Sequence, residues 1–447
     1  MFKPVYRFFS VIIFVFIFIT CLQARVKVGE GVFIDAEFRP RYEFDDRDFN
    51  NKTGFDAYGS MRSRVGLGLE NLIKNTTLYL QIGDSRMLGY SNPYLTGINP
   101  GPNGFDNNFG VVQVYIDAKD VLLPGASLKI GRMSNDQGRC IIFGPGNWNM
   151  FGPRTYDGIK LGYEFNKHTL HLWTLYGLNG DRHWYPDPRD PAKSPTASEN
   201  YKCDHTLTGA DLWLWSKKVN FLLFLDLDQK PVDDTITGDR YVALSRTTAA
   251  VNLQWRGKNE LGHWLDFDAA WQFGTMGFAF GSADISAYIL AGDWSWHFDA
   301  PNFPWAGLGF QIHSGDDDVS RGDVKYFWDY YSSKHRFNGY MDYFKTPTGV
   351  KGNGLRDLII RSGITPMENL SCKLELHHFS VTEPFPSAVD GSDADQLGME
   401  LDATAVYNIR KGLSVEFGLD FFMPSEEWQG KDGKTSIFSY LTFTAKL

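Results

Sequence analysis

Residues 395–424 read DQLGMELDATAVYNIRKGLSVEFGLDFFMP, in which two stretches of alternating apolar and polar side chains flank a turn at 410–412. The second stretch shows the pattern most clearly, with apolar side chains at Leu413, Val415, Phe417, Leu419 and Phe421. Successive side chains of a β-strand point to opposite faces, so this period of two predicts a hairpin of two strands. Long strands with one apolar face and one face rich in carboxylates are typical of a wall between lipid and water.

The N-terminus has the composition of a secretory signal peptide. Lys3 and Arg7 precede an unbroken apolar run at 8–19, and a short polar exit follows. We therefore predict a signal peptide over residues 1–24, which leaves residues 25–447 as the mature domain. A retained membrane anchor fits less well, because the run is shorter than the roughly 20 residues that a spanning helix needs. Lipidation at Cys21 also fits less well, because the residues before it lack the small side chain usual at lipoprotein cysteines.

Composition excludes two classes of protein. The mean hydropathy is −0.29, and every later hydrophobic run is interrupted at alternate positions. This excludes a helical membrane protein, whereas a β-barrel is compatible, because its lipid-facing and water-facing residues average out along the chain. The formal net charge of −9 argues against nucleic acid as a partner.

From residue 31 onward, eighteen alternating segments are joined by short and long connections in strict order. The short links lie at 71–75, 120–125, 165–167, 216–217, 257–262, 298–304, 365–369 and 410–412. Long polar loops such as 87–110, 133–155, 179–204 and 314–354 separate them. This rhythm predicts an all-β fold, a transmembrane antiparallel β-barrel of about 18 strands with short periplasmic turns, long extracellular loops and a water-filled lumen.

The last segment alternates up to the final residue, with an apolar face made of Leu441, Phe443, Ala445 and Leu447. Bacterial outer-membrane proteins commonly end in this way, which allows the barrel insertion machinery to recognise them. We therefore expect a Gram-negative outer-membrane protein that is inserted from the periplasm and surrounded by outer-membrane lipids.

Several strings resemble, in order, the alginate export family of bacterial outer-membrane porins. They include FRPRYEF at 38–44, SMRSRVGLGLE at 60–70, LKIGRMS at 128–134, GLRDLIIRSGITP at 354–366 and LGMELDATAVYNIRKGLSVEFGLDFF at 397–422. The resemblance implies a channel for a secreted anionic polysaccharide, with an arginine-lined constriction that selects carboxylated sugars, and it favours a monomer. The substrate-binding candidates that it implies are Arg39, Arg41, Arg62, Arg64, Arg132 and Arg361.

Alternation places five of these arginines in the lumen, because each alternates with lipid-facing residues. Arg132 instead shares the parity of Leu128 and Ile130, so we expect it above the bilayer edge or after a bulge. The predicted pore lining also holds carboxylates, namely Asp35, Glu37, Glu43, Glu400, Asp402 and Glu416. The arginines therefore form either a patch that attracts anions or a ladder of structural ion pairs, and the sequence leaves both interpretations open.

Three loop features have more than one interpretation. The stretches 91–110 and 143–153 either fold inward, so that Tyr94, Trp148 and Phe151 stack on sugar rings, or form surface coil. The acidic run that contains Asp316 either holds Ca²⁺ or is simply solvated. Cys140 and Cys203 lie in predicted loops and either pair in an oxidising compartment or remain thiols.

These observations predict an outer-membrane porin for passive passage or export of alginate-like anionic polysaccharide or other anionic sugars. A general or differently selective porin is the alternative within transport, and a loop-plugged structural barrel is the alternative outside it. We expect no enzyme activity, since no Ser, His and acid set has a spacing that indicates catalysis, and we expect no cofactor and no resident metal.

Overall fold

The computed structural model describes residues 26–47, 56–88, 109–148, 150, 153–176, 205–228, 232–233, 240–278, 281–317, 323–329, 331–344, 350 and 352–447. Within these residues, eighteen antiparallel strands form one closed barrel. Two further short strands pair with barrel strands, namely Val26–Gly29 with the first and Val232–Asp233 with the tenth. The helical segments are single turns at Lys258–Glu260, Lys334–Arg336 and Glu426–Gln429. No helix in the described part of the chain is long and apolar enough to cross a bilayer.

The first nine barrel strands are β1 (Val32–Asp46), β2 (Asp56–Glu70), β3 (Thr76–Met87), β4 (Gly110–Lys119), β5 (Ala126–Met133), β6 (Tyr156–Phe165), β7 (His168–Tyr176), β8 (His205–Leu214) and β9 (Val219–Asp228). The remaining nine are β10 (Arg240–Arg256), β11 (Gly262–Phe278), β12 (Gly281–His297), β13 (Trp305–His313), β14 (Leu355–Met367), β15 (Leu370–Pro386), β16 (Asp393–Arg410), β17 (Leu413–Pro424) and β18 (Ser436–Lys446).

The barrel closes because β1 pairs with β18 on one side and with β2 on the other. The seam brings Arg41 opposite Thr442 and Tyr42 opposite Leu441. The hairpin at 395–424 provides β16 and β17, the sixteenth and seventeenth strands, and its register places Asp402 opposite Asp420. The predicted fold class is confirmed, but the strict alternation of short turns with longer loops is not, because only residues 279–280 separate β11 from β12 where the rhythm predicts a long loop.

Strands near the seam have one apolar and one polar face, as the periodicity predicts, whereas β12 is apolar on its inner face as well, where Ile285 and Ile289 are buried. On β2, Val65 and Leu67 are exposed on the outer surface, whereas Arg62 and Arg64 are buried. On β17, Phe417 is likewise exposed, whereas Asp420 is buried in the lumen. The apolar side chains therefore face lipid, and the charged side chains face the interior.

Two connections fold into the barrel, which corrects the expectation of a purely water-filled lumen with both loops outside. We call them the 134–155 loop and the 314–354 loop. Their apolar side chains join side chains of the inner wall in one buried cluster that includes Ile141, Ile142, Phe143, Trp173, Phe224, Ile289, Phe327, Tyr331 and Phe337. Removing these side chains from water stabilises the inward position of both loops.

Several sequence predictions lie outside the described residues. They are the signal peptide at 1–24, Tyr94, Phe151 and Cys203.

A tightly packed glycine tests the inner wall near the seam. A Cβ atom at Gly418 of β17 would lie 2.0 Å from Cε1 of Tyr440, its directly paired residue on β18. Tyr440 is buried and donates a hydrogen bond of 2.9 Å to Oε1 of Glu416, so its ring is held in place. Only glycine leaves room for this ring.

We expect Gly418→Val to destabilise the barrel by about 1–3 kcal/mol, because the added side chain overpacks a filled wall. Gly110→Val is the matched control, since a Cβ atom at this strand position of β4 would meet nothing within 4 Å. The measurement is the temperature at which the folded band disappears in a heat-modifiability gel. Equal melting of the two variants would contradict the packing argument.

Candidate functional site

Four arginines of β1 and β2 form the candidate site, and we call Arg39, Arg41, Arg62 and Arg64 the basic cluster. The register places Arg39 directly opposite Arg62. It also places Glu37 opposite Arg64. Alternate residues on two neighbouring strands thus bring four guanidinium groups to one patch of the inner wall.

Two carboxylates neutralise part of this positive charge. Nε of Arg62 donates to Oε1 of Glu37 at 2.6 Å. Nη1 of Arg41 donates to Oε1 of Glu43 at 3.2 Å, and Nε of Arg41 donates to Oγ1 of Thr442 at 3.1 Å across the seam. The ion-pair ladder that the sequence left open therefore exists for part of the cluster.

The 134–155 loop covers the basic cluster with backbone carbonyl oxygens. The carbonyl oxygen of Asn147 accepts hydrogen bonds from Nη1 of Arg39 at 2.9 Å and from Nη1 of Arg62 at 3.1 Å. The carbonyl oxygen of Trp148 accepts one from Nη2 of Arg41 at 2.8 Å. These contacts satisfy donors without adding negative charge, so the cluster keeps its positive charge.

Arg64 has the least satisfied guanidinium of the four. Its side chain is on the inner wall with the residue only 8% exposed. Within the described part of the chain, its Nη2 atom is buried and has no hydrogen-bond partner, and the same holds for Nε of Arg39. A buried donor without an acceptor is costly, and an anion in the lumen would relieve that cost.

The structure does not bring Arg132 and Arg361 into the basic cluster. Arg132 forms a bidentate pair with Asp157, at 2.8 and 2.9 Å. In the sheet, Arg132 lies opposite Val114 on one side and opposite Asp157 on the other. Val114 is exposed, and so is Ile159, which shares the strand face of Asp157. The ion pair therefore lies on the outer surface, at the long-loop end. An outer position is incompatible with the predicted role of Arg132 in binding substrate in the lumen. It agrees with the position that the parity of Arg132 predicts.

Arg361 of β14 points into the lumen but is fully engaged by carboxylates there. It pairs with Asp293 of β12, and its Nε donates to Oε1 of Glu375 on β15 at 2.6 Å. The positive charge of Arg361 is therefore balanced by carboxylates of the barrel wall.

The predicted acidic lining divides into three groups. In the first group, Glu37 and Glu43 pair with arginines of the basic cluster. In the second, Asp35 accepts a hydrogen bond from the hydroxyl of Tyr79 at 3.0 Å. Glu416 accepts from Tyr440 near the seam. The third group, Glu400 and Asp402 of β16 with Asp420 of β17, we call the acidic wall. These three residues are at most 1% exposed.

The 314–354 loop covers the acidic wall with backbone N–H groups. The N–H of Met341 donates to Oε1 of Glu400 at 2.8 Å, and the N–H of Tyr340 donates to Oδ2 of Asp402 at 3.2 Å. The preceding Gly339 has a φ of +77°, and a Cβ atom there would lie 2.4 Å from Oε1 of Glu400. Glycine is needed at this position both for the backbone conformation and for the close approach.

Comparison with known proteins supports an outer-membrane channel. The family model described as alginate export matches residues 32–436. The chain belongs to the alginate export family. A search of curated proteins finds no match.

Solved structures share the fold of this alginate export family member at low sequence identity. OpdK of Pseudomonas aeruginosa with vanillate has a TM-score of 0.58 at 15% identity, over 94% of this chain and 99% of that one. OccK2 (OpdF) of the same organism, in complex with glucuronate, has a TM-score of 0.57 at 13% identity, over 95% and 99%. A BenF-like porin of Pseudomonas fluorescens Pf-5 has a TM-score of 0.61 at 13% identity, over 94% and 99%.

Sequence reasoning missed the residue that anchors the 134–155 loop of this alginate export family member. Nε of Arg139 donates to Oδ2 of Asp268 at 2.6 Å, and its guanidinium also pairs with Asp293 and, at 3.7 Å, with Asp266. No periodic signal marks Arg139, because it lies in a loop and its partners lie more than a hundred residues away in the sequence.

The acidic run at the start of the 314–354 loop is engaged by its own loop. Oδ2 of Asp316 accepts from the N–H of Lys325 at 3.2 Å, and Nζ of Lys325 lies 2.6 Å from Oδ1 of Asp317. Among the described residues, no group of three or more His, Cys, Asp or Glu side chains is arranged to hold a metal ion. The two interpretations of this run, calcium binding and simple solvation, both stay open.

Cys140 lies in the interior, within the 134–155 loop. Burial, followed by the nearby Asp136 carboxylate, raises the pKa of its thiol to about 11. Since Cys203 lies outside the described residues, the pairing of the two cysteines stays a prediction.

We expect the Cys140 thiol to react slowly with iodoacetamide at pH 8. A pKa raised from 9.0 to about 11 lowers the reactive thiolate fraction by about a hundredfold. The measurement is alkylation of folded protein that carries Cys203→Ser and Cys372→Ser, compared with the same protein unfolded in denaturant. Equal rates in both states would show that the thiol is not buried. Alkylation of wild-type Cys140 that requires a reductant would instead demonstrate a disulfide.

Proposed function

We propose that this chain is a passive outer-membrane channel for anionic sugars, with alginate-like polysaccharide as the leading candidate. The observation that carries the proposal is the basic cluster, in which four guanidinium groups share one patch of the inner wall and two of them, those of Arg41 and Arg62, pair with Glu43 and Glu37. Arginine suits this task, because it stays charged and its planar fork matches a carboxylate. Several weak sites in series bind a polymer and still let it move on.

Two further observations support carboxylated substrates. The solved structures with the same fold include one with vanillate and one with glucuronate, and both of these ligands are carboxylates. The carboxylates of the acidic wall are at most 1% exposed under the 314–354 loop, whereas Arg39 of the basic cluster keeps partial exposure under the 134–155 loop.

The proposal needs no covalent step, because passage rests on electrostatic selection and on the size of the opening. We propose a monomer that the barrel insertion machinery places in the membrane from the periplasmic side. The alternating face of β18, with Leu441 and Phe443, is the segment that we expect this machinery to recognise.

A structural barrel without transport is the second candidate. The observation that favours it is the extent to which the two inward loops fill the lumen, with Phe143 and Phe327 at most 1% exposed. Planar-bilayer recordings separate the two candidates. A channel gives ohmic single-channel steps, whereas a plugged barrel gives closed traces.

We expect Arg64→Glu to lower the anion preference of the channel by about fivefold or more. A unit charge about 4 Å away is worth about 1 kcal/mol even in water, which corresponds to that factor, and charge reversal changes the local charge by two units. The measurement is the reversal potential in a KCl gradient. Arg132→Glu is the matched control, because it makes the same substitution on the outer surface, outside the lumen.

Substrate class is tested by block of the ionic current. Oligoalginate is expected to interrupt the wild-type current at lower concentration than an uncharged oligosaccharide of equal length, and Arg64→Glu is expected to weaken this block. Equal block by charged and uncharged sugars would contradict carboxylate selection and would favour a general porin.

A further inference from the structure

Five side chains form a continuous stack across part of the lumen, and we call Arg41, Trp148, His335, Tyr340 and Lys373 the ring stack. Cζ of Arg41 lies 3.8 Å from the centroid of the Trp148 ring. The rings of Trp148 and His335 are 3.7 Å apart with an interplanar angle of 5°, and those of His335 and Tyr340 are 4.6 Å apart at 15°. Nζ of Lys373 lies 4.7 Å from the centroid of the Tyr340 ring.

The ring stack connects two positions of the barrel wall through both inward loops. Arg41 belongs to β1 and Lys373 to β15. Trp148 comes from the 134–155 loop, and His335 and Tyr340 come from the 314–354 loop. At one end the Arg41 guanidinium faces the electron-rich surface of the Trp148 ring, which is a favourable arrangement, and at the other end Nζ of Lys373 donates a hydrogen bond to the Tyr340 hydroxyl. The stack thus forms a chord that separates β16, β17 and β18 from the rest of the lumen.

Backbone hydrogen bonds fasten the same two loops to each other. The N–H of Ser333 donates to the carbonyl oxygen of Cys140 at 2.9 Å. The N–H of Gly144 donates to the carbonyl oxygen of Tyr331 at 2.7 Å. The two loops therefore form one interlocked partition, and the ring stack is one of its contacts with the wall, beside those of Arg139 and Met341.

The acidic wall lies on the enclosed side of this partition. Tyr340 takes part in both structures, since its ring is in the stack and its N–H caps Asp402. Both carboxylate oxygens of Asp420 are buried without a hydrogen-bond partner among the described residues. A carboxylate in this state meets a permeating ion only if the cover opens and water reaches it.

We propose that the ring stack determines the charge selectivity of the channel by holding residues 339–341 over the acidic wall. This inference rests on the proposed function. With the cover in place, the acidic wall is out of contact with the lumen, whereas Arg39 of the basic cluster keeps partial exposure, so an anionic polymer meets an arginine rather than three carboxylates. If the stack is lost, residues 339–341 lift from the acidic wall, the three carboxylates come into contact with water and permeating ions, and the lumen favours cations.

His335 offers a matched pair of variants for the test. His335→Ala removes the central ring and is expected to shift the anion-to-cation permeability ratio toward cations by at least threefold. His335→Phe keeps a ring between Trp148 and Tyr340 and is expected to stay within twofold of wild type. Both variants lose the ion pair of Nδ1 with Asp342, which spans 3.0 Å, so a difference between them reports on stacking.

Neutralising a covered carboxylate completes the experiment. Asp420→Asn alone is expected to leave the permeability ratio unchanged, whereas in the His335→Ala background it is expected to restore part of the anion preference. Equal ratios for His335→Ala and His335→Phe, or no rescue by Asp420→Asn, would overturn the proposal. Heat-modifiability gels establish that each variant is folded, and Trp148→Ala with Trp148→Phe replaces the pair if His335→Ala does not fold.

The wild-type recording separates this inference from the proposed function. A wild-type channel that shows no anion preference contradicts the proposed function. The ring-stack proposal is judged from the difference between His335→Ala and His335→Phe, which is measured on the same permeability scale whatever the wild-type value is.

Discussion

Every feature of this protein depends on the closure of its sheet between β1 and β18. In hydrocarbon, backbone N–H and C=O groups have no water to bond, so a sheet survives there only when both edges are paired. Closure also positions the candidate site, because the seam lies beside the basic cluster. Arg41 of β1 donates to Thr442 of β18, and Tyr440 of β18 joins Glu416 in the same neighbourhood.

A closed wall with lipid outside places most charged strand residues in a narrow interior, with the Arg132–Asp157 pair as an exception on the outer surface. Such charges need partners, because an unpaired charge away from water is costly. Part of the basic cluster finds carboxylates, as in the pair of Arg62 with Glu37, and the rest relies on loop atoms. The interior is therefore organised by pairing, and Nη2 of Arg64 is a buried donor left without an acceptor among the described residues.

The two inward loops treat opposite charges in opposite ways. The 134–155 loop offers carbonyl oxygens to arginines, as Asn147 does to Arg39, whereas the 314–354 loop offers N–H groups to carboxylates, as Met341 does to Glu400. Backbone dipoles thus satisfy both signs without introducing new charge. Because the loops are also bonded to each other, a change at one surface is transmitted to the other. A single partition across the lumen can in this way influence both the size and the sign of what passes.

Alternation and loop length alone determined the class of fold, the eighteen strands, their order and the face of each residue. These properties follow from a local period of two and from backbone pairing, so residues close together in the sequence determine them. Parity even placed Arg132 apart from the other arginines. Only the tertiary structure decided that both loops enter the lumen, that Arg139 anchors one of them and that the acidic wall is covered. Those outcomes depend on contacts between residues far apart in the chain, which have no periodicity and form only once the barrel has closed around them.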